Sequence, residues 1–314
     1  MQPQAHAPPA EPRCIRSASS SPLSTFLFSR PNPDGLFLSH GVGCLKKVSV
    51  GSLVSYHVHT QWSDGADLSR RMAQAAQEAG LLEMGVSDHY TLHPSGFIPW
   101  SMEPDGLEDY VKEIKSLEGE FGIPVRLGLE ADFFPQTSDK LSELINRYPF
   151  DYVIGSVHFA GEFPIDESPK LWEELDEDSR NDVWRVYWGL VKRMAECGCF
   201  DICGHLDLPK KFGYRATVPM DEEIRLALDA LASAGMTVEI NTAGWSKPVG
   251  EAYPSLSLLR ECKERNIPIL ISSDAHVTSR IAWEYPRALD LARKAGYAGS
   301  VRYQGRRRFF TPFN

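Results

Sequence analysis

Residues 53–59 read Leu-Val-Ser-Tyr-His-Val-His, and the fold that we expect follows from this stretch. A short apolar run leads directly into two imidazoles with one residue between them. Because side chains alternate across a strand, His57 and His59 lie on one face and can approach a single ion. A hydrogen-bonded or surface pair has the same spacing, so the motif alone does not establish a metal site.

The same unit recurs along the chain: an apolar run, a polar residue with metal-binding or acid-base chemistry, and then a helical pattern. Further apolar runs occupy residues 84–88, 125–130, 152–158, 200–205, 237–241 and 267–274. Apolar residues at helical spacing occupy residues 67–79, 105–121, 179–197, 221–234, 255–265 and 280–295. This alternation predicts an α/β fold, a (β/α)7 barrel of about seven parallel strands whose site lies at their C-terminal ends.

Most of the later strands end in residues that bind metals. These ends are Ser87-Asp88-His89, Gly128-Leu129-Glu130, Gly155-Ser156-Val157-His158, Gly204-His205-Leu206-Asp207 and Ser273-Asp274-Ala275-His276. Any one of them could be a buried structural residue, but their recurrence at one topological position favours a shared pocket. The candidate ligands are His57, His59, Asp64, His89, Glu130, His158, His205, Asp274 and His276.

These candidates offer imidazole and carboxylate groups and no thiolate. Such donors favour zinc, manganese or iron over calcium or magnesium. The set is too large for one ion, so we predict two or three divalent transition-metal ions, with Glu130 as a candidate bridge.

Composition narrows the class of partner. The formal net charge is -9, which disfavours a protein that binds nucleic acid by neutralising its phosphates. The chain has no run of about 18 apolar residues that could span a bilayer. We therefore expect a small-molecule substrate, with no nucleic acid and no membrane. The aromatic residues between Trp172 and Trp188 favour a helix packed on the core over a base-stacking surface.

Cysteine spacing indicates a reducing compartment. The six cysteines are Cys14, Cys44, Cys197, Cys199, Cys203 and Cys262. They form no paired CxxC motif and are too sparse for a disulfide-stapled domain, so we predict reduced thiols in the cytoplasm. The cluster from Cys197 to Cys203 could bind a metal, but buried structural thiols are favoured there.

Residues 1–50 differ from the rest of the chain. They are rich in Pro, Ser and Ala and lack helical or strand periodicity, which predicts disorder. A targeting peptide and a translation start assigned too far upstream are the alternatives. Residues 51–314 are expected to form the metal-dependent domain.

The motifs resemble those of the polymerase and histidinol phosphatase (PHP) family, over roughly residues 53–312. The similarity rests on Tyr56-His57-Val58-His59-Thr60 followed by Ser63-Asp64-Gly65, on Gly204-His205-Leu206-Asp207-Leu208 with Lys210-Lys211-Phe212-Gly213, and on Glu239-Ile240-Asn241-Thr242. Aspartate at position 64, where many relatives have histidine, is similar to the branch of monofunctional histidinol-phosphate phosphatases. The resemblance implies a distorted seven-stranded β/α barrel that hydrolyses L-histidinol phosphate to L-histidinol and phosphate in histidine biosynthesis.

The resemblance also implies how the ligands are shared. A first ion would be held by His57, His59, Glu130 and Asp274. A second would be held by Glu130, His158 and His205, and a third by Asp64, His89 and His276. Asp64, His158, His205 and Asp207 are the candidate catalytic residues.

Residues outside the ligand set could bind or orient the substrate. Phosphoryl oxygens need further cations, and the candidates are Lys210, Lys211, Arg185 and Arg280. Asn241 is a further candidate for substrate binding, and Asp207 and Asn241 could orient a water or a ligand imidazole. Simple solvation, or hydrogen bonding at the barrel rim, is the alternative for each.

Two other functions remain open at this point. The first is hydrolysis of another small phosphomonoester or of a nucleotide by the same fold, since fold and metal site do not fix the leaving group. The second is a non-catalytic metal-binding regulatory module, which the completely filled ligand positions disfavour.

Overall fold

A computed structural model describes residues 52–313 of the 314-residue chain. The disorder expected for residues 1–50 lies outside these described residues. The helices are α1 (Ser69–Glu78), α2 (Leu107–Ser116), α3 (Ser138–Ile145), α4 (Pro169–Glu173), α5 (Glu177–Glu196), α6 (Asp221–Ser233), α7 (Leu256–Glu264) and α8 (Tyr285–Lys294). Single 3-10 turns cover Leu208–Phe212, Ala243–Ser246 and Thr278–Arg280.

Most strands are short. They are β1 (Val54–Ser55), β2 (Glu83–Val86), β3 (His89–Tyr90), β4 (Val125–Leu127), β5 (Glu130–Asp132), β6 (Ile154–Ser156), β7 (Phe159–Ala160), β8 (Phe163–Pro164), β9 (Ile202–Cys203), β10 (Thr237–Asn241), β11 (Ile269–Ser272), β12 (Gly299–Gln304) and β13 (Arg307–Pro312). Helices separate most of the parallel strands, so the predicted α/β class is confirmed.

Parallel pairing organises the core. One sheet has the order β1-β2-β4 and another the order β11-β10-β9-β6-β5-β3. Strand β3 follows β2 directly in the chain, and β5 follows β4. The chain therefore passes from the first sheet into the second at both of these points. A parallel bridge between Val58 and Ala275 joins the segments that follow β1 and β11. The strand ends are thereby gathered at one end of the fold; a continuous seven-stranded barrel stays a prediction.

Two helices and two β-hairpins were not predicted from the sequence. Helices α3 and α4 have eight and five residues, which is too short for a clear apolar periodicity. Strands β7 and β8 form a two-residue antiparallel hairpin, and β12 and β13 form a longer one at the C-terminus. Strand β13 is largely exposed on both faces, so it lacks the alternation that identifies a half-buried strand.

Within the described residues, no helix is both long enough and apolar enough to cross a membrane. Helix α5 buries its aromatic residues Trp184, Tyr187 and Trp188, as expected for a helix packed on the core. Cys197, Cys199, Cys203 and Cys262 are free thiols.

Candidate metal centre

Glu130 lies at the centre of a buried cluster of imidazoles. It begins β5, and its side chain is 1% exposed. One oxygen, Oε2, lies 3.0 Å from His57 Nε2, 3.4 Å from His59 Nε2 and 2.9 Å from His89 Nδ1. The other oxygen, Oε1, lies 3.0 Å from His205 Nε2. Four imidazoles from three separate segments of the chain therefore converge on one carboxylate.

A second carboxylate, Asp274, approaches the cluster from the segment after β11. Its Oδ1 lies 3.2 Å from His59 Nε2 and 3.7 Å from His57 Nε2. His276 and Asp64 continue the cluster outward, with 3.2 Å between His276 Nε2 and Asp64 Oδ2. Asp274 has a φ of 53°, a left-handed conformation that is uncommon outside glycine and is often found at functional sites.

A close approach of two backbone segments places Asp64 at the cluster. A Cβ atom on Gly65 would lie 2.4 Å from the backbone of His59 and Thr60. Glycine therefore allows the loop after His59 to fold back onto its own start. Asp88 fixes the same loop, because its carboxylate accepts hydrogen bonds from the Thr60 amide at 2.7 Å and the Ser63 hydroxyl at 2.7 Å.

Four sets of side chains could each hold an ion. Within each set, one nitrogen or oxygen per residue lies within 4.8 Å of the others. The sets are His59, Asp64, His89 and His276; His57, His59 and Asp274; His57, Glu130 and His205; and His89, Glu130 and His158. The structure thus brings all nine predicted ligands together, while several of them belong to two sets.

Two carboxylates orient the imidazoles from behind. Glu239 Oε1 lies 2.8 Å from His57 Nδ1, and its Oε2 accepts a hydrogen bond from the His205 amide at 2.8 Å. Asp132 Oδ1 lies 2.8 Å from His158 Nδ1. Such a pair fixes the imidazole tautomer and leaves the other nitrogen free as a ligand, as is common for metal-bound histidine.

The chemistry of the cluster fits divalent cations. Five of its buried atoms make no hydrogen bond within the described structure: His57 Nε2, His59 Nδ1, His59 Nε2, His89 Nδ1 and Glu130 Oε2. Unsatisfied buried polar atoms are costly, and they are rare except where a ligand completes them. A cation among these lone pairs would satisfy several of them at once.

The charges in the cluster and its burial shift the pKa values of its members. Burial opposes ionisation of Glu130, but His57 and His89 hold the pKa of its carboxyl well below the usual range. Burial would lower the pKa of His158, but Asp132 raises it to about 10. For His59, burial together with the nearby imidazoles lowers the pKa to about 3. Protons held by imidazoles such as His158 are the ones that a bound cation would displace.

A cavity of about 400 Å³ opens onto the cluster. Asp64, His89, His158, His205, Asp274 and His276 line its inner end. Its walls include Trp100, Phe159 and Tyr253, and charged side chains from Asp166, Glu167, Lys211 and Lys247 also line it. The volume falls within the usual range for small-molecule sites.

The structure does not bring three predicted cations to this cavity. Lys210 is fully buried, and its Nζ donates to Asp207 Oδ2 at 2.9 Å and to the Ala252 carbonyl at 2.8 Å. Arg185 points away on α5, where it pairs with Asp182 at 2.7 Å. Arg280 stacks on Trp283, with 4.1 Å from Cζ to the ring centroid. Of the four predicted cations, only Lys211 lines the cavity.

Asp207 and Asn241 also differ from their predicted contacts. Asp207 accepts hydrogen bonds from Lys210 and from the Ser255 amide, and the described structure gives it no contact with a ligand imidazole. Asn241 lies behind the cluster, and its Nδ2 donates to Glu239 Oε2 at 3.1 Å and to Asp274 Oδ2 at 3.2 Å. It therefore orients carboxylates and does not line the cavity.

Sequence reasoning missed Glu239, Asp132, Glu167 and Lys247. Glu239 and Asp132 lie within strands, so two-residue alternation from Asn241 and from Glu130 could have identified them. Nothing in the local sequence distinguishes Glu167 or Lys247 from ordinary charged surface residues.

Comparisons with known proteins identify the family of this chain. The PHP domain model matches residues 55–243. A probable histidinol-phosphatase of Deinococcus radiodurans is 39% identical over 247 residues, 78% of this chain and 94% of the relative. The histidinol-phosphatase of Bacillus subtilis is 28% identical over 260 residues, 74% of this chain and 97% of the relative.

A solved structure shows the same fold. The histidinol phosphate phosphatase of Lactococcus lactis, crystallised with zinc, L-histidinol and phosphate, has a TM-score of 0.71 and 25% identity. The superposition covers 82% of this chain and 99% of that chain. With the domain match and the close relative, these findings show that the chain belongs to the PHP family.

Proposed function

We propose that this chain is a metal-dependent histidinol-phosphatase, which hydrolyses L-histidinol phosphate to L-histidinol and phosphate in histidine biosynthesis. One observation carries the proposal: nine imidazole and carboxylate side chains form one cluster, and six of them line a cavity of about 400 Å³. The two relatives described above, which match this chain over almost their whole length, are named as histidinol-phosphatases.

The donor set supports two or three divalent ions. When bound, such ions lower the pKa of water and neutralise charge on phosphoryl oxygens. His57, His59, Glu130 and Asp274 would hold the innermost ion. His158 and His205 would hold a second ion together with Glu130. Asp64, His89 and His276 would hold a third. The zinc-bound relative supports zinc as one of these ions.

The chain's own residues would position the ester. Glu239 and Asp132 fix two imidazoles from behind, so those ligands need little reorganisation when the substrate binds. Lys211 and Lys247 line the cavity and are placed to contact phosphoryl oxygens. Trp100 packs edge-on against His89 and His158, with ring centroids 4.7 and 5.6 Å away, and lines the cavity beside the cluster.

We place the enzyme in the cytoplasm. The four described cysteines are free, and free thiols persist in a reducing compartment.

A substrate panel tests the proposal directly. Metal-stripped protein would be resupplied with zinc, manganese or iron separately and assayed for phosphate release. The panel would contain L-histidinol phosphate, phosphotyrosine, nucleoside 3′-phosphates and an oligonucleotide. We expect the highest kcat/KM for L-histidinol phosphate, and loss of that activity in His57→Ala and His158→Ala. A clear preference for another ester, or full activity in both variants, would contradict the proposal.

A further inference from the structure

The cavity carries a negative charge that phosphate hydrolysis does not explain. Glu167 lines the cavity but belongs to none of the ligand sets. Its side chain is exposed, and it makes no ion pair or side-chain hydrogen bond with any residue from 52 to 313. A free carboxylate near a phosphate dianion raises the energy of the complex, so its presence calls for a compensating charge.

The backbone around Glu167 is anchored on both sides. On one side, the Ile165 amide donates to the His158 carbonyl at 2.8 Å, and Trp172 Nε1 donates to the Ile165 carbonyl at 2.8 Å. On the other side, Ser168 caps α4. The Glu167 carboxylate is therefore presented at the cavity by a fixed segment, which is the condition for selective binding.

Neither of the two lysines that line the cavity forms an ion pair with Glu167. Lys211 Nζ donates to the Asp166 carbonyl at 2.7 Å and contacts its carboxylate at 3.0 Å, so these two residues neutralise each other. Lys247 is exposed and makes no ion pair in the described part of the chain. Lys247 and Glu167 are thus the unpaired cation and anion among the charged residues that line the cavity outside the cluster.

These charges divide the cavity into two parts. Metal ions held by the cluster would attract the phosphoryl group to the inner end, whereas Glu167 repels it. Glu167 must then face the alcohol part of the ester. Trp100 and Phe159 lie nearly parallel, at 16° with 6.4 Å between ring centroids, and form an apolar wall for the carbon skeleton of that alcohol.

The geometry points to Glu167 as a specificity residue that selects phosphate monoesters of alcohols carrying a positive charge. This inference rests on the proposed function and names the feature of the substrate that the site recognises. An ammonium group on the alcohol pairs with Glu167. A neutral or anionic alcohol leaves the carboxylate unpaired, which discriminates against that class of ester.

Glu167→Gln tests the inference because it removes the charge and keeps the shape. The metal-loaded enzyme would be assayed with L-histidinol phosphate and phosphoethanolamine, whose alcohols are cationic, and with glycerol 2-phosphate, whose alcohol is neutral. We expect kcat/KM for the two cationic esters to fall about fivefold relative to glycerol 2-phosphate, through KM. The charge reversal Glu167→Lys should shift the ratio further in the same direction.

Glu174→Gln is the matched control. It removes one exposed carboxylate just after α4 that does not line the cavity, so the ratio should stay at the wild-type value. A structural role for Glu167 would slow all esters alike, whereas specificity changes the ratio.

The outcomes separate this inference from the proposed function. If L-histidinol phosphate is a poor substrate but Glu167→Gln still lowers turnover of phosphoethanolamine relative to glycerol 2-phosphate, the proposed function fails and the inference stands. If L-histidinol phosphate is the best substrate and the ratio is unchanged in Glu167→Gln and Glu167→Lys, the inference is overturned.

Discussion

Two buried glutamates, each the first residue of a parallel strand, have opposite surroundings. Glu83 begins β2 and is 3% exposed; its oxygens accept hydrogen bonds from Tyr56, Arg126 and Arg302. Glu130 begins β5 and is 1% exposed, but its Oε2 faces three imidazoles without forming a hydrogen bond. The two side chains are similarly buried, but both oxygens of Glu83 accept hydrogen bonds, whereas at Glu130 only Oε1 does so, from the Ser156 hydroxyl at 2.6 Å.

The difference separates structural charge from functional charge. At Glu83, cationic donors satisfy both oxygens and tie β4 and the C-terminal hairpin to β2. At Glu130, the atoms nearest to Oε2 are imidazole nitrogens that make no hydrogen bond themselves. Such an arrangement costs free energy until a cation binds there. We call the surroundings of Glu130 the unsatisfied end and those of Glu83 the satisfied end, and we expect catalysis at the unsatisfied end.

The largest expected effect is on activity at the unsatisfied end. Glu130→Gln removes the charge shared by the ligand sets, so we expect kcat/KM to fall by about 10³-fold or more, with loss of bound metal. Phosphate release and elemental analysis of the purified protein would measure this. A Glu130→Gln variant that keeps its metal and its turnover would show that the carboxylate is structural, like Glu83.

A substitution at the satisfied end should lower the stability of the protein and leave its activity unchanged. Glu83→Gln leaves two arginines without their buried partner, so we expect the free energy of unfolding to fall by about 3 kcal/mol. Urea denaturation would measure the loss, and kcat per folded molecule should stay close to wild type. Reduced kcat at full stability would contradict the division between the two ends.

Glu239 sharpens the comparison, because it is buried and satisfied yet lies directly behind the cluster. Glu239→Gln weakens its hold on His57, so we expect metal affinity or turnover to fall by about 10- to 100-fold. Competition with a chelator gives the affinity, and Glu239→Asp should recover part of it if orientation is the cause. An unchanged affinity would limit Glu239 to packing.

The smallest effect is expected for Arg185, a surface cation that contacts neither Glu83 nor the ligand cluster. Arg185 is paired on the surface of α5, so Arg185→Gln should leave kcat/KM within about twofold and stability within about 1 kcal/mol. Lys211→Gln, at the cavity, is the comparison that should slow turnover. A strong effect of Arg185→Gln alone would mean that α5 reaches the substrate.

Much of the architecture could be predicted because strand and helix patterns recur along the chain. The apolar runs end in His57, Glu130, His205 and Asp274, and parallel strands bring such ends together. The hairpin of β12 and β13 escaped prediction because an exposed strand has no alternation to detect. The short helices lack the length that periodicity requires.

The sequence predicted which residue types form the candidate site, but it did not predict which side chains face the cavity. Lys210 and Lys211 are adjacent, yet one is buried against Asp207 and the other lines the cavity. Their 3-10 turn sends neighbouring side chains in different directions, and no local pattern reports which one faces inward. Tertiary contacts decide such pairs.

The ligand sets draw on segments that begin at His57 and end at His276, which is most of the described chain. Such remote groups come together only in the folded chain, so an ion bound to them stabilises the folded state over the unfolded state. By mass action, a hundredfold excess of free ion over Kd adds about 2.7 kcal/mol to the folded state. The melting temperature of the purified protein should then rise with the concentration of free metal ion.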